Sequence, residues 1–198
     1  MIKTNFKLSK LICIILTAGF ILSFMAVLQS CGNGGKEKRT AFTPPGGEYE
    51  IMLNPDVWSE VVVSADYSPD QIGLLNGTLS FMLIIDSYRK ADLLFLEVSD
   101  INSFIDFYKT FEIPQTMYAP ADGKTFGEIA DIAAKDLSMS IFKSGKRQEI
   151  YAPERVCEFI YIETEAHYFA ISYTSYEDKY AESQKAVIDL ISHITIKK

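Results

Sequence analysis

The sequence has few of the side chains that most often carry catalysis, since two histidines and three cysteines occur among its 198 residues. Three cysteines are too few for a disulfide-dense scaffold. Seven prolines and 11 glycines leave little room for low-complexity sequence. Basic residues are also scarce, because 19 lysines and arginines face 26 acidic residues and leave a net charge of −7. Contacts to phosphates need clustered cations, so this composition argues against nucleic acid as a partner.

The chain does have a distinctive N-terminal segment. Three lysines precede residues 11–28, a run of 18 uncharged and largely apolar residues, and no acidic residue occurs before that run ends. A basic start followed by an apolar stretch is typical of a secretory signal. The run ends at Leu28-Gln29-Ser30-Cys31, which resembles the lipobox of bacterial lipoproteins.

The lipobox resemblance implies that residues 1–30 are a cleaved signal peptide and that the Cys31 thiol carries a diacylglycerol, with the new N-terminus acylated. The alternative is an uncleaved signal anchor, because 18 apolar residues are at the short end of a membrane span. Both interpretations place the rest of the chain on the extracytoplasmic side of the cell membrane, since the lysines stay inside. Cys157 would then be the single thiol of the mature domain, and its apolar neighbours predict burial.

Residues 31–47 have the composition of a flexible tether, because they are rich in glycine and too polar to form a core. The remaining residues, 48–198, are predicted to form one domain, since a chain of this length buries enough surface for a single core. That domain contains 13 basic and 25 acidic residues and has a net charge of −12. The acidity either holds the domain away from anionic lipid or only keeps the protein soluble.

The hydrophobic pattern of the domain predicts strands, then two helices, then strands and a last helix. Strands are predicted at 49–53, 61–63, 72–75, 78–86, 141–142, 148–151, 156–163, 167–174 and 195–196, with turns at 76–77, 144–146 and 164–166. Helices are predicted from 99 to the proline at 114, over 126–137 and from Ser175 onward. Short turns between neighbouring strands indicate a mostly antiparallel sheet with about three helices packed on it, which is an α+β fold.

This arrangement resembles the PsbP-like family over residues 48–198. The features that carry the resemblance are a strand leading to a turn at Trp58, an apolar hairpin, a helix that begins at Asp100, hairpins rich in Tyr and Ile, and a closing helix followed by a short strand. The resemblance implies a central antiparallel sheet flanked by helices and a role in binding or assembly rather than in catalysis. It carries no photosystem role and no metal-binding residues onto this chain.

The search for catalytic chemistry in the sequence leads to structural interpretations. His167 and His193 are predicted to be structural or surface residues, and a pairing of His167 with Cys157 would sit among aromatic core positions. No nucleophile elbow, phosphate-binding loop or zinc-ligand spacing occurs. Asp100 is interpreted as a helix cap rather than as a calcium ligand. The sequence therefore indicates no catalytic residue, no cofactor and no metal site.

Tyrosines are concentrated near the third predicted hairpin and the last helix. Tyrosine buries a large apolar area and keeps a polar tip, so a cluster of tyrosines is common at interfaces. The alternative is that strands simply favour tyrosine. The five residues of this candidate interface are Tyr161, Tyr168, Tyr173, Tyr176 and Tyr180.

The sequence favours a membrane-anchored, extracytoplasmic lipoprotein that acts as a non-catalytic binding or assembly module. Its expected partners are the membrane, through the N-terminal lipid, and a protein of the cell envelope. The alternative is a carrier of a small ligand or lipid, with an apolar pocket formed by Phe81, Met82, Phe104 and Phe107. An envelope enzyme is the third hypothesis.

Overall fold

Eleven strands and four α-helices form the part of the chain that the computed structural model describes, which is residues 38–61, 71–112 and 124–197. The strands are β1 (Thr40–Phe42), β2 (Tyr49–Leu53), β3 (Trp58–Val61), β4 (Ile72–Asn76), β5 (Phe81–Arg89), β6 (Thr125–Phe126), β7 (Ala130–Asp131), β8 (Ser144–Ala152), β9 (Arg155–Glu163), β10 (His167–Tyr176) and β11 (Ile194–Ile196). The helices are α1 (Lys90–Leu93), α2 (Ile101–Phe107), α3 (Ala134–Leu137) and α4 (Tyr180–Ile191). A 3-10 turn at Leu94–Leu96 follows α1, a π turn at Tyr108–Glu112 follows α2, and a 3-10 turn at Glu177–Lys179 precedes α4.

Two antiparallel sheets organise the domain. The larger has the strand order β3-β4-β5-β10-β9-β8-β6, with β7 also paired to β8, and the smaller has the order β1-β2-β11. Every strand pair in both sheets is antiparallel. The α+β class with a mostly antiparallel sheet flanked by helices is confirmed. The long hairpin of β9 and β10 is also confirmed, and it forms the centre of the large sheet.

Alternation along the central strands divides the core into two clusters, one on each face of the large sheet. Because successive side chains of a strand point to opposite faces, Phe169, Ile171 and Tyr173 of β10 pack on one side, with α4 and the small sheet. Tyr168 and Ala170 of the same strand pack on the other side, with α2. The sheet is thus covered on both faces.

Helix α2 begins where the sequence predicts. The Asp100 side chain accepts hydrogen bonds from the backbone N–H groups of Asn102 and Ser103, and Ser103 closes a reciprocal capping box. Such a cap satisfies donors that the first helical turn leaves without partners. The helix packs onto the sheet through Phe104, whose ring stacks on that of Tyr168 with centroids 4.6 Å apart.

The helix predicted over 126–137 is wrong. Only Ala134–Leu137 is helical, and Phe126 instead pairs with Ile150 on β8. The Gly127 N–H donates a hydrogen bond to the backbone carbonyl of Glu149 at 2.8 Å, so this segment pairs with β8 as an edge strand. Long-range strand pairing therefore overrides a helical spacing of apolar residues.

The hairpin predicted around Gly145 is also wrong, because β8 continues through this residue. A Cβ atom at Gly145 would lie 2.8 Å from the ring of Phe142 and 3.1 Å from the carbonyl oxygen of Tyr161. Glycine is needed here for a close approach between packed segments rather than for a turn. The actual turn lies at residues 153–154, between paired Ala152 and Arg155.

Two predicted boundaries are also wrong, because strands form where the sequence predicts a helix start and a tether. Ser175 does not cap the last helix, because it is still part of β10. The Ser175 hydroxyl instead lies 2.8 Å from the hydroxyl of Ser183. At the other end, Thr40–Phe42 were predicted as tether but form β1 on the edge of the small sheet. The predicted signal peptide, Cys31 and the valines at 62 and 63 lie outside the described residues.

The apolar hairpin of β4 and β5 is present, although its loop is longer than predicted. Asn76 and Phe81 are paired, so four residues connect the strands rather than two. The Asn76 side chain accepts hydrogen bonds from the backbone of Thr78 and Leu79. Ser80 adopts a left-handed conformation with φ of 58°.

Candidate functional site

Four large apolar side chains project into solvent beside α2. They are Leu94, Phe95, Leu96 and Phe111, which are 67%, 79%, 44% and 72% exposed. We refer to these four residues as the apolar surface. Single exposed apolar residues are ordinary, but several of them together mark a site of interaction.

The local sequence explains why three consecutive apolar residues point outward. Leu93 and Val98, on either side of the 3-10 turn, are both buried in the cluster beneath α2. Glu97 closes the turn in a left-handed conformation with φ of 61°, and its N–H donates to the Leu94 carbonyl at 3.2 Å. Because both ends of the turn are fixed in the core, the residues between them cannot turn inward.

A groove of about 350 Å³ connects the two parts of the apolar surface. Its apolar walls are formed by Leu96, Phe107 and Phe111, and the rings of Phe107 and Phe111 have centroids 5.6 Å apart. Glu97 and Asp106 also line it, so the groove combines an apolar floor with two carboxylates. Binding sites commonly combine apolar walls with a few polar groups in this way.

A buried hydrogen bond fixes the π turn that carries Phe111. The Tyr108 hydroxyl donates to the Asp86 carboxylate on β5, and the Gln71 amide donates to the same carboxylate at 2.5 Å. Burial raises the pKa of Asp86, although both hydrogen bonds act in the opposite direction. Tyr108 thus ties the end of α2 to the sheet, and Phe111 extends beyond this tie.

A cluster around Glu163 fixes the start of α1 in a similar way. Its carboxylate accepts hydrogen bonds from Lys90 at 2.6 Å, Ser144 at 2.7 Å and Lys143 at 2.9 Å. Burial alone would raise the pKa of Glu163, but the three bonds together outweigh it and lower the pKa to about 2. The Lys90 ammonium also lies 4.8 Å above the ring of Tyr168. The helix that leads into the apolar surface is therefore held at its first residue.

A third polar cluster lies on the opposite face of the sheet, under α4. Glu158 is fully buried, and its Oε2 atom accepts a hydrogen bond from the Tyr173 hydroxyl. Its Oε1 atom lies 2.5 Å from the Arg147 guanidinium, but the geometry there is not that of a hydrogen bond. Burial raises the pKa of Glu158, and these two partners oppose the rise. The three residues come from β9, β10 and β8, so the cluster joins neighbouring strands.

The structure does not bring the five predicted interface tyrosines onto one surface. Tyr161 and Tyr168 are buried on the α2 face of the sheet, whereas Tyr173 is buried on the α4 face. Tyr180 is partly buried beside Tyr173, and only Tyr176 is well exposed, with Arg155 stacked on its ring. Strand alternation separates tyrosines that are neighbours in sequence, so the alternative explanation by strand preference describes them better.

The other predicted candidates also lie apart. Cys157 pairs with Thr174 on β10, seven residues from His167, which corresponds to about 23 Å along an extended strand. His167 instead lies 2.7 Å from the carboxylate of Glu48. The nitrogen Nδ1 of His193 lies 2.7 Å from the Asp189 carbonyl oxygen at the end of α4. The register of the β9–β10 hairpin therefore separates Cys157 from His167.

The four residues of the predicted carrier pocket do not enclose one cavity. Phe81 belongs to the cluster on the α4 face of the sheet, and Phe104 belongs to the cluster on the α2 face, where Phe107 packs against it. Met82 is 44% exposed. The sheet itself separates these side chains.

Sequence analysis missed the apolar surface. Residues 93–96 read LLFL between charged segments, but a short apolar run is typical of a buried segment, so the sequence does not indicate that Leu94, Phe95 and Leu96 are exposed. In the part of the chain that the structure describes, no group of three or more His, Cys, Asp and Glu side chains is placed to bind a metal ion. Within the same residues, none of the helices has the length and apolar character needed to cross a membrane.

Comparison with known proteins supports the fold. No family model and no curated protein matches the chain. The solution structure of cyanobacterial PsbP (CyanoP) from Synechocystis matches 84% of this chain and 97% of its own, with 13% identity and a TM-score of 0.50. The chain therefore has a PsbP-like α+β fold, and a likeness at this identity extends to the fold alone.

Two further structures match with lower scores. LpqN of Mycobacterium tuberculosis, described as involved in cell envelope biogenesis, matches 84% of this chain and 88% of its own, with 12% identity and a TM-score of 0.45. The Ran-binding protein Mog1p of Saccharomyces cerevisiae matches 81% of this chain and 96% of its own, with 10% identity and a TM-score of 0.46.

Proposed function

We propose that this protein is a non-catalytic binding or assembly module, held on the extracytoplasmic side of the cell membrane by a lipid on Cys31. The basic start, the apolar run and the lipobox-like residues 28–31 support the anchor. The polar stretch after Cys31 supports a domain that stands away from the membrane. The partner is a protein of the cell envelope.

The exposed apolar surface is the observation that carries the binding role. Burial of one Phe or Leu side chain contributes about 1.5–3 kcal/mol, and this surface presents two of each. The side chains are displayed on turns whose ends are fixed by Glu163, Asp86 and the buried core. A surface that is already rigid loses little conformational freedom when a partner binds.

Site-specific photo-crosslinking of the full chain in intact cells tests the binding role. A photoreactive phenylalanine analogue replaces Phe95 in one variant and Phe111 in another. We expect each variant to form a covalent adduct with one protein species upon irradiation. The matched control carries the analogue at Met82, an exposed apolar position on the large sheet. Adducts of equal yield at Met82, or none at Phe95 and Phe111, would contradict the proposed site.

The anchor is tested by Cys31→Ala in the full chain. We expect the wild-type protein to incorporate a labelled fatty acid and to stay with membranes after salt and carbonate washes. The variant should lose the label and leave the membrane fraction. Cys157→Ala is the matched control, since it removes the thiol of the folded domain and should change neither property. Retention of Cys31→Ala on washed membranes would favour the uncleaved signal anchor.

A further inference from the structure

We propose that the occupant of the groove is a segment of a protein partner in which an apolar anchor is flanked by lysine or arginine. This inference rests on the proposed binding role and specifies the chemistry of the partner. The anchor would enter between Leu96 and Phe111, and the cationic neighbours would meet Glu97 and Asp106.

Glu97 has no competing cationic partner among the described residues, whereas Asp106 interacts electrostatically with Lys109. No ion pair is formed there by Glu97 or by Asp106, although both line the groove. Lys90 is bound by Glu163, whereas Lys109 interacts with Asp106 and so offsets part of the charge of the groove. The groove therefore presents a net negative charge, chiefly that of Glu97, beside an apolar floor.

Desolvation makes a cationic occupant preferable to a purely apolar one. An apolar segment in the groove would take both carboxylates partly out of water, Glu97 without any cationic partner, and an unpaired charge is expensive to desolvate. A lysine or arginine beside the anchor supplies that partner, and arginine can do so with two parallel hydrogen bonds. Apolar contact and charge complementarity then favour the same segment.

The same charges disfavour a membrane as the occupant. Anionic lipid headgroups would repel the two groove carboxylates and the acidic domain, whose net charge from residue 48 onward is −12. Surfaces that insert apolar side chains into bilayers are usually rimmed by lysine and arginine. In this groove, the two ionisable side chains of the lining, Glu97 and Asp106, are both acidic.

Peptide binding to the full chain in phosphatidylcholine nanodiscs tests the inference. Two fluorescent peptides of equal length carry the same Leu and Phe anchors, flanked by arginine in one and by glutamate in the other. We expect the arginine peptide to bind about tenfold more tightly, with an advantage that shrinks as salt is added. In the variant E97Q/D106N the advantage should fall by about fivefold. In the variant F95S/F111S both peptides should bind weakly.

The control variant is L75S/M82S, which removes two exposed apolar side chains from paired positions on β4 and β5. It should bind both peptides as the wild type does, and the fluorescence of Trp58 reports whether each variant is folded. Equal affinity for the two peptides, or an unchanged preference in E97Q/D106N, overturns the inference. Binding to phosphatidylglycerol vesicles that is lost in F95S/F111S also overturns it, in favour of a lipid surface.

The inference and the proposed function fail in distinguishable ways. Adducts at Phe95 together with no charge preference would leave the binding role standing and remove the cationic partner. Absence of adducts at Phe95 and Phe111, together with no peptide binding, would remove the binding role itself.

Discussion

Glu163→Gln tests how the base of the apolar surface is held. The substitution keeps the size of the side chain and most of its hydrogen-bonding capacity, but it removes the charge that faces Lys90 and Lys143. The Glu163 side chain is only 6% exposed, and its bonds to both lysines are shorter than 3 Å. The variant therefore isolates the electrostatic part of the cluster.

The pKa of Glu163 gives the magnitude. It falls from 4.5 to about 2, and each unit of pKa corresponds to about 1.36 kcal/mol of free energy. Direct conversion gives about 3 kcal/mol. The Lys143 side chain is half exposed, so solvent screens part of this interaction. We expect Glu163→Gln to lower the free energy of unfolding by about 2 kcal/mol at pH 7.

The pH dependence of this loss follows from the direction of the pKa change. Because the pKa of Glu163 is lower in the folded chain, its charge stabilises the fold above the pKa of the unfolded chain, near 4.5. That stabilisation disappears as pH falls from about 4.5 to about 2. The glutamine variant lacks this dependence, so the difference between the two proteins should close over the same range.

Urea unfolding of the full chain in nonionic detergent measures this difference. Trp58 is the single tryptophan and is buried against Phe81, so its fluorescence reports the loss of the core. Unfolding curves at pH 7 and pH 3 give the two free energies. Equal stability of the variant and the wild type at pH 7, or a difference that persists unchanged at pH 3, would refute the reasoning.

Two further predictions concern the opposite face of the sheet and the turn between β8 and β9. Tyr173→Phe removes the hydroxyl that donates to buried Glu158, so we expect urea unfolding to show a loss of about 1–3 kcal/mol. Tyr176→Phe is its control, and a change of similar size there would contradict the role of burial. Glu154→Gly replaces a residue with φ of 62° at the position of a turn that favours glycine. We expect a rise of about 0.5 kcal/mol in the free energy of unfolding, because relief of the left-handed strain exceeds the added entropy of the unfolded chain. A loss of stability would show that the Glu154 side chain makes a contribution of its own.

Local signals predicted the elements that depend on few residues. The β9–β10 hairpin has a short turn between two apolar strands, and Asp100 with Ser103 caps α2 through neighbouring backbone groups. The short strand after the last helix was also predicted, and it pairs with β2. The hairpin and the capped helix are decided by interactions between residues close in sequence, whereas β11 pairs with the distant strand β2.

Local signals failed where a distant partner decides the outcome. The segment around Phe126 has helical spacing but becomes strand, since β8 offers hydrogen bonds that a short helix cannot match. Gly145 lies in a Ser-Gly-Lys sequence that is typical of a turn, but in the fold Phe142 and Tyr161 leave no room for a side chain at this position. The tyrosines of β9 and β10 cluster in sequence and separate in space because the sheet lies between them.

The α+β class, the antiparallel pairing of neighbouring strands and an anchor at Cys31 could all be predicted from the sequence, because each prediction uses patterns within a few tens of residues. Which apolar residues are exposed depends instead on how the folded chain packs. Leu94, Phe95 and Leu96 have the character of core residues, yet burial of Leu93 and Val98 at the two ends of their turn keeps them in solvent. The apolar character of a side chain favours its removal from water, but packing decides whether the same chain or a partner covers it.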